Sequence, residues 1–202
     1  MYLRKVILSL LLIFFSITKG FSQQEPQSLS TDILKLITDL NNQINVFFQR
    51  EKIENLDRQL GYFKQDLDSY LTVRKEIMEY LEAINYKPKD KKDSIQVFRS
   101  VYNLKQKLIR LTDRLESLRP LLNDQLSNDV SQIIRQVKDV AGNNRVIYIT
   151  ELEKLYSGIN YGNKKTIRIE KLKKDGEDIY KDLVRSMDLI SSIQEQLRSK
   201  LK

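Results

Sequence analysis

Glu76, Glu79 and Glu82 recur at i, i+3 and i+6. On a helix that spacing sets three carboxylates on one stripe, and paired carboxylates can serve acid–base or glycosidase chemistry. The stripe also flanks an apolar seam, where solvated charge is the commoner use of such residues, and it is read that way here. Gly158 to Thr166 (GINYGNKKT) has the residue types of a phosphate-cradling loop. Three residues rather than four separate its glycines, however, and Asn163 stands before Lys164. Asp175-Gly176-Glu177-Asp178 is acidic but lacks the succession of oxygen ligands of a calcium loop. The chain has no His and no Cys, which removes the imidazole base, the thiolate nucleophile and the zinc–thiolate site. The expectation is therefore a protein that is not an enzyme, with no catalytic residues, no cofactor and no metal site.

One cluster suggests binding instead. Lys164, Lys165, Arg168, Lys171, Lys173 and Lys174 fall within eleven residues against Glu170 alone, and Tyr148, Tyr156 and Tyr161 precede them. Basic and aromatic side chains together can dock on anionic lipid headgroups, acidic glycans or an acidic partner helix. Ile169 and Leu172 intersperse the cations at helical spacing, so a helix that buries one face and solvates the other gives the same pattern.

The elements that would carry these residues are helices. Gly and Pro together fill 9 of 202 positions, too few to punctuate the strands of a sandwich or barrel. Ser30-Thr31-Asp32 offers N-cap side chains before Ile33, Leu34, Leu36, Ile37, Leu40, Ile44, Phe47 and Phe48. A second helix carries Ile53, Leu56, Leu60, Phe63, Leu67, Tyr70, Arg74, Ile77, Leu81 and Ile84 in alternating steps of three and four, the seam of coiled-coil packing. Gly61 lies inside it without ending it. A charged turn around Pro88 follows, and Asp93 or Ser94 is expected to cap the next helix, Asp93 with Gln96 approximating a capping box. That helix has the cleanest seam, Val97, Val101, Leu104, Leu108, Leu111, Leu115, Leu118 and Leu122. Residues 53–86 are net acidic and 95–119 net basic, which favours an antiparallel hairpin.

Pro120 fits the first turn of a further helix or a kink; that helix uses Leu126, Val130, Ile133, Val137 and Val140, and Gly142 is expected as its C-cap. Residues 145–162 read as a short helix, with a buried strand as the rival. The last element places Ile169, Leu172, Gly176, Ile179, Leu183, Met187, Ile190, Ile193, Leu197 and Leu201 on one seam, with a soft spot at Asp175-Gly176.

The N-terminus reads as a cleaved targeting segment, with an uncleaved anchor, which needs about 20 apolar residues, as the rival. Arg4 and Lys5 precede an apolar run from Val6 to Ile17, and Gly20-Phe21-Ser22 supplies small residues for cleavage after Ser22. Removing Arg4, Lys5 and Lys19 takes the balance from 35 basic against 27 acidic residues to 32 against 27. That excess equals the net charge of the cluster at 164–174, so a diffuse nucleic-acid-binding charge is excluded.

The expected fold is all-α, an elongated antiparallel helical bundle with a coiled-coil-like long helical hairpin. Residues 1–22 are the signal peptide, 23–30 a polar leader, 31–142 the long-helix bundle and hairpin, and 143–202 the short helix, basic segment and C-terminal amphipathic helix. In layout the chain resembles the periplasmic holdase chaperones with long helical arms, departing from them at Gln23 to Ser30, where no strand-forming segment occurs. It also resembles, in order and size, the small exported helical subunits of conjugative type IV secretion machines. The expected function is a structural or adaptor component of a cell-envelope assembly, periplasmic or extracellular after cleavage. The partner is an envelope protein, with self-association and anionic lipid or glycan as further expectations and no nucleic acid or small-molecule substrate.

Overall fold

The computed structural model describes residues 29–46, 49–85, 89–143 and 169–202. The expected signal peptide, most of the expected polar leader and residues 145–162 lie outside the described residues. Within them the chain is an all-α bundle of five helices without strands: α1 (Leu29–Gln43), α2 (Arg50–Ala83), α3 (Lys91–Leu118), α4 (Asp124–Asn143) and α5 (Ile169–Leu201). Short 3-10 turns at Ile44–Val46 and Arg119–Leu121 follow α1 and α3.

Each helix packs against two others, in the cyclic order α1, α5, α2, α3, α4 and back to α1. Cross-helix contacts fix the directions. Tyr80–Asp93 and Asp66–Arg114 make α2 and α3 antiparallel. Asp57–Arg198, Lys64–Ser191 and Glu82–Lys173 do the same for α2 and α5. Gln43–Asn123 and Asp32–Gln136 set α4 antiparallel to α1. Ser30 and Thr31 donate to Asp182, and Gln196 donates to Asn41, so α1 and α5 are parallel. A ring of five cannot alternate direction all the way round, and α1–α5 is where the alternation fails.

One hydrophobic cluster runs through all five helices. All ten positions of the α2 seam are buried, Arg74 among them at 4% exposure. On α3 the seam is buried from Val97 to Leu118. The helix stops there, since Pro120 turns the chain through the 3-10 segment, and Leu122 is extended and only partly buried. On α5 the buried line passes through Leu183, Ser186, Ile190, Ile193 and Leu197, so Ser186 takes the place the spacing gave to Met187, which is half-buried. The Ser186 hydroxyl is satisfied by the Asp182 carbonyl at 2.8 Å, which lets a polar residue stand in the core.

The helix ends differ from expectation in identifiable ways. α1 is already helical at Leu29, and the Ser30 and Thr31 hydroxyls reach across to α5. The N-cap of α3 is Asp90: its carboxylate accepts from the Asp93 N–H at 2.8 Å, while Asp93 accepts from the Lys89 N–H at 3.0 Å. The capping box thus starts three residues before the expected Asp93–Gln96 pair. Asn123 caps α4 by accepting from the Leu126 N–H at 3.0 Å. Gly142 lies inside α4, and α5 runs unbroken through Asp175-Gly176.

Candidate docking surface

The carboxylate stripe on α2 is exposed and largely committed to ion pairs. Glu79 meets Lys75 at 3.7 Å, and Glu82 meets Lys173 at 3.2 Å. Asp175-Gly176-Glu177-Asp178 is helix rather than loop, and Asp178 faces Lys181 at 3.9 Å. Among the described residues no group of three or more carboxylates is placed so as to hold a metal ion. Gly158 to Thr166 lies outside them.

Of the basic cluster, Lys164, Lys165 and Arg168 also lie outside the described residues, and Lys171 falls in the first turn of α5. Lys174 is exposed, whereas Lys173 ties α5 to α2 through Glu82. The described part of the cluster therefore serves a helix–helix contact as well as solvent.

Two polar features sit inside the bundle. Arg74 Nη1 donates to the Gly176 carbonyl at 2.8 Å, using the lone pair that a helical carbonyl keeps beside its i+4 bond. A Cβ on Gly176 would come within 3.1 Å of Arg74 Nη2, so the absent side chain is what lets the guanidinium lie against α5. The Asp32 carboxyl is raised above its ordinary pKa by burial, with the Gln136 hydrogen bond and Lys35 opposing.

At the α2–α3 turn the Tyr80 hydroxyl donates to Asp93 at 2.7 Å. That bond and the surrounding carboxylates push the tyrosine up to about 12, while the Lys89 N–H and the Tyr80 hydroxyl hold Asp93 below its usual value.

The surface that sequence reasoning missed is on the outside of α3. Ile95, Phe98, Tyr102 and Ile109 are exposed at 40%, 58%, 55% and 41%. Phe98, Tyr102 and Ile109 each follow a core residue, Val97, Val101 and Leu108, by one position. They therefore line up about 100° round the helix from the buried seam. The signal was present in the sequence: 95, 98, 102 and 109 fall on a second track of three- and four-residue steps, with Lys105 filling the step between the last two. Lys91, Lys92, Arg99 and Arg110 are exposed along the same helix. Asp93, the only acid from Lys91 to Arg110, is engaged with Tyr80 and Lys89. The surface is thus an apolar ridge with a cationic flank.

No described helix is long and apolar enough to cross a membrane. No family model matches the chain, and neither a curated protein nor a solved structure matches it.

Proposed function

We propose that the chain is an exported, non-enzymatic helical protein that works as a structural or adaptor component of a cell-envelope assembly through protein–protein contacts. The observation that carries this reading is the ridge of Ile95, Phe98, Tyr102 and Ile109. Large apolar side chains that keep 40% or more of their surface in solvent along one helix carry a cost that a partner's coverage relieves. Export is supported by the basic, apolar and small-residue succession from Arg4 to Ser22. In this reading α2 and α3 act as an elongated antiparallel, coiled-coil-like hairpin that displays the ridge. Lys164, Lys165, Arg168, Lys171, Lys173 and Lys174 form a second docking surface.

The test is crosslinking of the tagged full chain in cells, followed by identification of what is bound. Recovery of one envelope protein at fixed stoichiometry is expected, and failure to recover any envelope protein overturns the reading. The same exposed ridge also supports a holdase-like chaperone. That alternative requires the purified chain to suppress aggregation of several unrelated unfolded proteins.

A further inference from the structure

We infer that the outer ridge of α3 seats an acid-flanked amphipathic helix supplied by another protein. The inference rests on the protein–protein reading above and names both the surface and the partner's chemistry.

Spacing comes first. Ile95, Phe98, Tyr102 and Ile109 advance by three, four and seven residues. With Lys105 counted as the intermediate position the steps average 3.5, which keeps side chains in line with a second helix wound alongside. The ridge runs about 21 Å, four turns of contact.

Width separates a helix from a membrane. At helical rotation the four side chains fall within a sector of about 60°. A helix that lies in a lipid interface presents an apolar face of about 100° or more, and a narrow ridge fits between the side-chain rows of one partner helix instead.

Charge then selects the partner. Lys92, Arg99 and Arg110 line one flank of the ridge, Lys91 stands one turn before it, and Asp93 is engaged with Tyr80 and Lys89. Glu or Asp beside the apolar positions of the incoming helix complements them, whereas Lys or Arg there is repelled. A second copy docking through the same ridge, antiparallel about Tyr102, would bring Arg110 of one copy beside Lys92 of the other on the same flank, which disfavours self-pairing by this face.

The probes are two synthetic amphipathic peptides of about three heptads, with Leu at the seam positions and either Glu or Lys beside them, titrated against the full chain. The Glu peptide should bind at least tenfold more tightly than the Lys peptide. Tyr102→Asp with Ile109→Asp should weaken it at least tenfold while the helical circular dichroism stays unchanged. Arg99→Glu with Arg110→Glu should reverse the preference between the peptides.

Equal affinity for the two peptides, or indifference to the ridge substitutions, overturns the inference. So does binding to phosphatidylglycerol vesicles but to neither peptide, which assigns the ridge to lipid. A sedimenting dimer lost in Tyr102→Asp assigns it to a second copy. Peptide binding that emerges only after deletion of 145–162 assigns it to the chain's own segment. If the peptides fail while crosslinking still recovers a fixed envelope partner, the adaptor reading stands without this surface. If they bind and no partner is recovered, the surface stands and the adaptor reading falls.

Discussion

Gly61 and Gly176 face each other's helices across the α2–α5 interface, yet they should respond differently to the same substitution. Alanine is favoured over glycine inside a helix by about 1 kcal/mol. At Gly61 the new Cβ would meet Gln194 Nε2 at 3.4 Å, an ordinary contact, so Gly61→Ala should raise stability by up to about that amount. At Gly176 it would meet Arg74 Nη2 at 3.1 Å, and the buried guanidinium cannot swing away without straining its bond to the Gly176 carbonyl. Gly176→Ala should therefore give no gain in urea unfolding, and the gain should return in an Arg74→Met background. The Tyr80–Asp93 bond makes a pH prediction. Asp93 is lowered, so the unfolded chain binds its proton more readily, and the stabilisation is present above the ordinary carboxylate range and lost as pH falls through the folded value. Tyr80 is raised to about 12, so the folded chain holds that proton more tightly; the stabilisation is present below 10 and lost as pH rises through about 12. The stability difference between the wild type and Tyr80→Phe should thus be largest at neutral pH and shrink at both extremes.

At the scale of the element, α3 bears two stripes that differ by one residue in register and should differ sharply in cost. Leu108→Ala empties a fully buried position and should destabilise by about 2–5 kcal/mol, whereas Tyr102→Ala, on the exposed ridge, should stay within about 0.5 kcal/mol. Chemical denaturation of the two variants checks this directly. Asn123→Ala removes the cap of α4 and should cost about 1 kcal/mol. The buried seams of α2 and α3 were legible because long apolar side chains at steps of three and four admit one helical face. Ser186 was hidden because its type says solvent, and only the Asp182 carbonyl, one turn back, makes it a core residue. The start of α3 was hidden for another reason. Asp90, Asp93 and Ser94 are all capping types, and Asp93 is drawn out of that role by Tyr80, which belongs to the preceding helix. The outer ridge went unread because a seam already accounted for the helix, and residues left over after one explanation draw no second one. Of the basic cluster, Lys173 turned out to bridge two helices, a use that residue type alone does not distinguish from docking.

At the scale of the whole molecule, α1 is the shortest of the five helices, about 22 Å against about 51 Å for α2. Its contact with α5 is also the one parallel pairing of the ring, where aligned dipoles give no help. Its amides should be the least protected from hydrogen exchange among the five helices, while those at the centres of α2 and α5 exchange only on global opening. The odd-membered ring has a further consequence in time. The parallel contact joins the first described helix to the last, and α2, too, waits for α5 along one whole flank. A chain made from its N-terminus can pair α2 with α3, and α1 with α4, as each emerges. Until α5 arrives, the ring has a gap with apolar walls. The thirty-three residues of α5 are thus the keystone: until they are made, the ring stays open and its core wet.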